Sequence, residues 1–414
     1  MSRAAQATED PRRWRQLAIV AAGELLAMAP WFSASAVAPL LSTEWNADRL
    51  ALPTLAIAVQ VGFAIGALAL AATAAADVLP ARILFAAGAI LAAGANLGFA
   101  FVAHDAATAL PFRVITGLAL AGVYPIGLKV LAGWFRRERG LAIGVLVGAL
   151  TVGSALPYLL RAIGASQGLD WHATVGAASV VGVLGGMLVL AGTTTGPWDV
   201  PAPRFSLDVA RSAFREPAVR LANLGYLGHM WELYAMWTWV PLFVAASFAA
   251  AGTHSSTSAS LAAFLIVGSG GVGCVVAGLL ADRLGRTTLT IVAMAISGSS
   301  AIAVGFLFGA APILTVAVAV VWGVTVVADS AQFSTAVSEL APAGTAGSAL
   351  AIQTALGFLL TGVTILAVGL LDPADATGWR IAFGLLAIGP LVGIVAMWRL
   401  RRRPEALRMA NGHR

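Results

Sequence analysis

The sequence contains very few charged residues. Charged side chains make up 11 % of the 414 residues and hydrophobic ones 59 %, and the mean hydropathy is +0.88. A soluble domain carries about 25 % charged residues. A soluble protein of this length needs far more polar surface than this chain can supply. We therefore predict an integral membrane protein with many spans.

Cysteine and lysine each occur only once. The lone Cys274 excludes an intramolecular disulfide and a cysteine-built metal site. Cys274 lies in an apolar run, which favours a small packing residue. Lys129 is the single lysine, so arginine supplies the remaining permanent positive charge.

The motifs of soluble enzymes are also missing. The sequence has no Walker loop, no His-Glu-x-x-His and no Gly-x-Ser-x-Gly. The run GSGGVG, Gly268 to Gly273, lacks a following lysine and lies inside an apolar stretch, so it is not a phosphate loop. We expect no enzymatic activity, no cofactor and no metal site.

About twelve apolar stretches are long enough to cross a bilayer as helices, which takes about 20 residues each. Their approximate limits are 16–41, 52–75, 82–103, 107–133, 140–163, 172–194, 219–248, 259–281, 287–309, 311–338, 346–370 and 379–400. The longest polar break, Thr193 to Arg220, lies at the middle of the chain. The predicted fold is all-α, with two pseudo-symmetric six-helix bundles in the membrane. The first bundle is 1–194, a cytoplasmic linker is 195–218, and the second bundle with a short basic tail is 219–414.

Arginines are concentrated near both ends of the sequence and at three alternate connections between these stretches. The basic clusters are Arg3, Arg12, Arg13 and Arg15; Arg136, Arg137 and Arg139; Arg204, Arg211, Arg215 and Arg220; Arg283 and Arg286; and Arg399 to Arg403. The intervening connections are neutral or acidic. This alternation predicts a multi-pass protein of the cell inner (plasma) membrane with both termini in the cytoplasm. Apolar spans separate the clusters, so nucleic acid is not an expected partner.

One octet pattern, Glu-Leu-x-Ala-Met-x-x-Trp, occurs twice: as ELLAMAPW from Glu24 to Trp31 and as ELYAMWTW from Glu232 to Trp239. The offset is 232 − 24 = 208 residues, close to half of the chain. Each copy falls in the first span of its half, so the repeat is in register with the predicted topology. Parallel six-helix halves of this kind are a known transporter architecture.

A second repeat follows the second span of each half. It reads ATAAADVLPAR from Ala72 to Arg82, which we call the first gate turn, and GLLADRLGR from Gly278 to Arg286, the second gate turn. The second resembles the Asp-Arg-x-Gly-Arg signature of the major facilitator superfamily, and the resemblance covers nearly the whole chain at the level of topology. In that family the turn forms a cytoplasmic gate, here implied to consist of Asp77, Arg82, Asp282, Arg283, Gly285 and Arg286. The first copy departs from the pattern, because Val78 and Ala81 replace the expected arginine and glycine.

The stretch from Arg113 to Pro157 resembles the nitrate/nitrite porter and cyanate permease branches of that family. The likeness rests on Arg-x-x-x-Gly in the fourth span and on a Trp-Phe pair before a glycine-rich fifth span. Gly140, Gly144 and Gly148 are four residues apart, a spacing that lets helix backbones approach closely. Nitrate porters also carry arginines in the second and eighth spans, which this chain lacks, so nitrate or nitrite is not expected.

Charged residues inside spans are costly and tend to face a cavity or a partner. Here they include Glu24, Arg113, Lys129, Glu232 and Asp329. Pseudo-symmetry would place Glu24 and Glu232 across the pathway from each other, where burial and mutual repulsion favour proton binding. Two interpretations of the glutamates stay open: proton coupling, or hydrogen bonding between helices.

Other candidates for the substrate or proton pathway surround these charges. His229 lies three residues before Glu232, so both fall on one helix face, and histidine can relay a proton near neutral pH. Tyr234 and the repeated Trp31 and Trp239 are candidates for an aromatic cavity lining. For Arg113 the resemblance implies proton transfer or charge relay, and the alternative is a structural ion pair. Lys129 is expected either to extend toward the cytoplasmic surface or to contact an anion.

The sequence therefore predicts a secondary active transporter that moves a small organic solute by alternating access with proton coupling, as a symporter or an antiporter. Proton-driven efflux of a cationic or amphiphilic drug-like compound is the first alternative. A non-transporting membrane receptor is the second. The expected partners are a small solute, H+ and the lipid bilayer, and the expected state is a monomer.

Overall fold

The computed structural model describes residues 10–47, 50–199 and 205–414. Its first half contains α1 (Arg12–Ala27), α2 (Ser33–Glu44), α3 (Ala51–Thr73), α4 (Ala75–Val78), α5 (Ala81–Phe101), α6 (Ala106–Leu120), α7 (Tyr124–Trp134), α8 (Arg139–Ser166) and α9 (Trp171–Gly192). Arg3, Arg204 and the linker residues 200–204 lie outside the described residues.

The rest of the described chain begins with a short helix in the predicted linker. Its helices are α10 (Leu207–Ala213), α11 (Pro217–Ala250), α12 (Ser256–Gly268), α13 (Gly270–Leu284), α14 (Arg286–Phe306), α15 (Pro312–Val326), α16 (Ser330–Leu340), α17 (Ala346–Leu371), α18 (Ala376–Leu386) and α19 (Ile388–Arg401), followed by 3-10 turns at Pro404–Arg408 and Ala410–Gly412.

Within the described ranges, eleven helical segments are long and apolar enough to cross a membrane. Four of them join two helices across a brief break: α6 with α7, α12 with α13, α15 with α16, and α18 with α19. The first predicted span, 16–41, is instead divided between α1 and α2, because the chain forms turns from Met28 to Phe32. The all-α membrane fold is confirmed.

Helix ends alternate between two faces of the bundle. The arginine-bearing connections meet at what we call the basic face, where Arg13 pairs with Glu138 and Arg286 with Glu339. At the opposite face, aspartates begin three helices by accepting first-turn N–H groups, which is a preferred N-cap arrangement. Asp105 accepts from Thr108 N at 2.7 Å, Asp170 from Ala173 N at 3.0 Å and Asp375 from Gly378 N at 2.8 Å.

Glycines set the contact between the two halves where α8 packs on α12 and α13. A Cβ atom placed on Gly144 would lie 2.7 Å from the carbonyl oxygen of Cys274, and one on Gly278 would lie 2.7 Å from that of Gly140. Side chains at these positions would force the helices apart, so the glycine spacing of the fifth span has the packing role expected from sequence. The second contact between the halves is α3 on α17.

Candidate functional site

A cavity of about 370 Å³ lies between the two halves. Its wall is mostly apolar and aromatic. The lining side chains that can hydrogen-bond or bear charge are Asp77, Tyr124, Lys129, Tyr226, Tyr234, Trp237, Ser330, Ser334, Ser348 and Thr354. The cavity extends to the basic face, because its lining includes the end of α3, the first gate turn and the start of α17.

A cluster of aromatic rings from both halves lies beside the cavity, and three of its members, Tyr234, Trp237 and Phe358, line the wall. Three rings come from each half, and we call the group the aromatic floor: Trp31, Phe32, Phe63, Tyr234, Trp237 and Phe358. The rings of Trp31 and Tyr234 stack at 5.7 Å between centroids, and Phe63 meets Phe358 at 4.3 Å. Offset and tilted pairs of this kind contribute about 0.5–1.5 kcal/mol each beyond the burial of their area.

Glu24 lies directly behind the cavity wall. Its side chain is fully buried, and within the described structure neither carboxyl oxygen has a hydrogen-bond partner. A Cβ atom on Gly127 would lie 2.6 Å from Glu24 Oε2, so the carboxyl group lies against the backbone of α7. Tyr124, which lines the cavity, is within electrostatic range of the same carboxyl group.

Glu232 has quite different surroundings. Ser297 Oγ on α14 donates to its Oε2 at 2.8 Å, and Trp322 Nε1 on α15 donates to its Oε1 at 2.8 Å. Both oxygens are thus occupied by helices of the second half, and the residue does not line the cavity. Its contacts are those of a side chain that ties three helices together.

His229 and Asp329 form a buried pair in the second half. His229 Nδ1 lies 2.9 Å from Asp329 Oδ1, and each side chain is 1 % exposed. Asp329 lies in the break between α15 and α16, and its neighbour Ser330 lines the cavity. His229 Nε2 is buried and, among the described residues, has no hydrogen-bond partner. The pair therefore combines two titratable groups one residue away from the cavity wall.

Arg113 binds the broken part of the first span. It donates through Nη2 to the carbonyl oxygen of Trp31 at 2.5 Å and through Nη1 to that of Pro30 at 3.2 Å. Nη1 also donates to Asn96 Oδ1 at 2.9 Å. These two carbonyl groups lie in the turns between α1 and α2, where no continuous helix supplies backbone N–H donors to them. Arg113 satisfies them, and Asp105 is occupied as the N-cap of α6.

The repeated tryptophans occupy different places. Trp31 belongs to the aromatic floor, stacked on Tyr234. Trp239 donates to the carbonyl oxygen of Ile365 at 3.2 Å, and it is Trp237, two residues earlier, that lines the cavity. Sequence reasoning missed Trp237, Tyr124 and Tyr226 as lining residues. The sequence feature that could have indicated the two tyrosines was their position, close to a helix break for Tyr124 and to the second octet for Tyr226.

The second gate turn is held by a network of ion pairs and hydrogen bonds around Arg286. Arg286 Nη2 pairs with Asp282 Oδ1 at 2.8 Å and with Glu339 Oε1 at 3.0 Å, and Nη1 donates to Gln332 Oε1 at 2.8 Å. Gly285 adopts a positive φ of +85°, which a glycine tolerates and most residues do not. Arg283 is exposed at the same face.

The first gate turn is held by a different residue. Asp77 Oδ1 lies 2.5 Å from Lys129 Nζ, which also donates to the carbonyl oxygen of Ala76. Ala74 adopts a φ of +50° without the freedom of glycine. Arg82 is exposed. Lys129 of α7 corresponds in position to Glu339 of α16, since 339 − 129 = 210. The residue that pairs with the gate turn is therefore a base in the first half and an acid in the second.

Comparison with known proteins identifies the family. A profile of the Major Facilitator Superfamily matches residues 20–365. The MFS-type transporter pytF of Aspergillus terreus is 27 % identical over 215 residues, which cover 51 % of this chain and 69 % of that protein. The Fujikurins efflux protein of Gibberella fujikuroi is 27 % identical over 195 residues, 46 % of this chain and 40 % of that one.

Solved structures show the same fold. The xylose transporter XylE from E. coli, in a partially occluded inward-open conformation, gives a TM-score of 0.73 at 15 % identity, covering 94 % of this chain and 98 % of that one. A bacterial homologue of the lysosomal transporter Spinster gives 0.69 at 16 % identity, covering 95 % and 97 %.

These matches test four of the sequence-based expectations: the superfamily, its branch, the receptor alternative and the absence of enzymatic activity. The superfamily resemblance is confirmed, whereas the cyanate and nitrate/nitrite branches receive no support from the relatives. The receptor alternative is wrong, because the matching family and the named relatives are transporters. The chain is a transporter, not an enzyme, and it belongs to the Major Facilitator Superfamily.

Proposed function

We propose that this protein is a proton-coupled secondary transporter of an uncharged, largely apolar organic solute, and that Glu24 is its proton-binding group. The single observation that carries the proposal is the environment of Glu24: a fully buried carboxyl group, unpartnered in the described structure, behind the wall of the central cavity.

The surroundings of Glu24 favour a change of protonation during transport. An ionised carboxylate is costly to bury unless it is paired or hydrogen-bonded. No such partner faces Glu24 in the described residues, so this conformation suits the neutral acid. A conformation that admits water to the carboxyl group would favour release of the proton. A group that prefers different protonation states in two conformations couples proton movement to the conformational cycle.

The cavity wall supports an uncharged substrate. Of its described residues only Asp77 and Lys129 are charged, and they pair with each other at the mouth. The rest of the wall consists mainly of aliphatic side chains and aromatic rings, with a few hydroxyl groups. Pockets lined in this way bind apolar molecules and orient them through a few polar contacts. A cationic solute would find no free acid on this wall, and an anionic one no free base.

The names of the relatives agree with a small organic solute without fixing it. One relative is named an efflux protein for fujikurins, and structural neighbours transport xylose with protons. The apolar wall favours an amphiphilic compound over a sugar, because a sugar needs a polar partner for most of its hydroxyl groups. Cyanate, an anion, does not suit the wall.

The orientation follows from charge. The arginine clusters define the basic face, and the positive-inside rule makes that face cytoplasmic, with both termini inside and the cavity open to the cytoplasm. We further propose the division into residues 1–194, a linker 195–218 and residues 219–414, and a monomer in the plasma membrane.

The test uses purified protein in liposomes with an internal pH dye. Uncharged aromatic compounds, sugars, organic cations and organic anions are screened for proton flux driven by solute, and the sign of the pH change gives the direction of transport. With an active solute, Glu24→Gln should reduce proton-driven accumulation at least about tenfold, an effect of about 1.4 kcal/mol. Exchange of labelled for unlabelled solute should continue, because the amide resembles the neutral acid.

Glu232→Gln is the matched control, since it makes the same change in the other octet. Its oxygen can still accept from Trp322 and its NH2 group can donate to Ser297, so accumulation should stay within about twofold of wild type. Full proton-driven accumulation by the Glu24→Gln protein would disprove the role of Glu24. Activity toward charged solutes alone would disprove the proposed substrate class.

A further inference from the structure

A second cavity, of about 420 Å³, lies at the basic face beside the mouth of the first. We call it the basic niche. It is lined by Lys129, Ala132, Gly133, Phe135, Arg136, Arg139, Trp198 and Asp199. Three of these side chains are cationic and one is acidic.

The niche has a defined shape, because hydrogen bonds attach the start of the linker to the end of α7. Trp198 N donates to the carbonyl oxygen of Gly133 at 2.9 Å, and Trp134 Nε1 donates to that of Thr194 at 3.0 Å. A Cβ atom on Gly133 would lie 3.3 Å from the Cβ atom of Asp199. The linker backbone thus forms one wall of the niche.

The cations converge on the niche from two helices and the loop between them. Arg136 lies over the Trp198 ring, 3.9 Å from its centroid, which holds the guanidinium group in a defined position. Lys129 comes from the middle of α7 and Arg139 from the start of α8. Asp199 lies on the same wall, and Asp77 binds Lys129 from the side of the first cavity.

We propose that the basic niche binds a phosphate-type anion at the membrane surface. Planar guanidinium groups match the oxygens of phosphate with paired hydrogen bonds. Pockets of basic residues between membrane helices on the cytoplasmic side are suited to lipid head groups, and this volume exceeds that of a phosphate group alone. The anion is either the head group of an anionic lipid or a soluble phosphate.

Lys129 links the niche to transport, because it lines both cavities. An anion in the niche competes with Asp77 for the ammonium group. Binding therefore loosens the tie that holds the first gate turn, and loss of the Asp77 charge makes the lysine more available to the anion.

The experiment uses the full chain. Binding of inorganic phosphate in neutral detergent is measured by calorimetry. Retention of phosphatidic acid, supplied in phosphatidylcholine vesicles, is measured by native mass spectrometry. The variants are Arg136→Gln with Arg139→Gln, and the control is Arg137→Gln in the same loop but outside the niche lining. The double variant should bind at least about tenfold more weakly, and the control within about twofold of wild type.

Asp77→Asn gives an outcome that damage to the fold would not produce, since it should strengthen binding, by about threefold or more. Binding of soluble phosphate would identify a free anion as the source, and retention of phosphatidic acid alone would identify a lipid; both support the site. Equal binding of both probes by the wild type, the double variant and the control would overturn it. Unchanged binding by Asp77→Asn would overturn the link to the gate turn.

Discussion

The two copies of the octet show that a repeated sequence does not make repeated surroundings. Glu232 binds Ser297 and Trp322 inside the second half, whereas Glu24 has no hydrogen-bond partner in the described structure. The helix that carries Glu232 continues unbroken to Ala250, and the one that carries Glu24 ends at Ala27. The second half thus uses its octet glutamate to hold helices together, and the glutamate of the first half is the one that we propose as the proton-binding group.

The gate turns differ in a parallel way. The second is organised by Arg286 from within the turn, with the acid Glu339 supplied by α16. The first lacks that arginine, and the positive charge comes from α7 as Lys129. Both gate turns thus contain an ion pair at corresponding positions, but the packed helix supplies the base in the first half and the acid in the second. The departure at Val78 and Ala81 is therefore accompanied by a new partner for Asp77.

The largest expected difference between the halves is in stability when each octet glutamate becomes methionine. Glu232→Met leaves the Trp322 N–H and the Ser297 hydroxyl group buried without their acceptor, which should lower the free energy of unfolding by about 2–4 kcal/mol. Glu24→Met removes a buried acid that has no partner to lose and should be neutral or stabilising. Thermal unfolding in one detergent compares the two. Equal losses of stability in the two variants would contradict the proposed difference, in which Glu232 holds helices together and Glu24 binds a proton.

A smaller difference is expected at the gate turns. Arg286→Gln removes a nearly buried cation from two acids and should cost about 1–3 kcal/mol, whereas Lys129→Gln removes a cation from one acid in a partly buried pair and should cost about 0.5–1 kcal/mol. The sharper test exchanges the charges: Asp77→Lys combined with Lys129→Asp should recover stability lost in either single variant. Thermal unfolding of the wild type and all five variants measures this, and a double variant no more stable than the two single exchanges would refute the pairing.

The smallest effect concerns helix starts at the opposite face. Hydrogen bonds from the Thr108 hydroxyl and backbone lower the pKa of Asp105 from its ordinary value of 3.8, whereas the corresponding Ala311 gives α15 no side-chain cap. The stabilisation by Asp105 is thus fully present above pH 3.8 and is lost as the pH falls through the lowered pKa. Hydrogen exchange, corrected for its intrinsic pH dependence, should show the first turn of α6 opening at low pH. Asp105→Ala should open it at every pH, and α15 should show no such step.

Much of the fold could be predicted from sequence, because composition and span length act locally. The apolar runs, the glycine spacing of α8 and the aspartate N-caps each need only neighbouring residues. The break at Met28 to Phe32 was also available in principle, since Pro30 lies inside the octet and removes a backbone donor. The repeat emphasises the two glutamates, but the proline in the first octet is the residue that makes their surroundings differ.

The site could be predicted only in part, since its partners come from distant segments. Glutamates 24 and 232 were recognisable as buried acids, but Trp322 lies 90 residues beyond Glu232, and Asp329 lies 100 residues beyond His229 because 329 − 229 = 100. No local pattern joins such positions. Lys129 carried a further signal, because a single lysine among so many arginines suggests a position that needs a compact, flexible cation.

That lone lysine also makes the protein easy to follow by chemistry. A reagent that acylates side-chain amines has one target in this sequence, at the mouth of the cavity and against Asp77. An amine held in an ion pair reacts slowly, and a released amine reacts quickly. The rate of labelling thus reports, with no engineered residue, how much of the time the first gate turn is open.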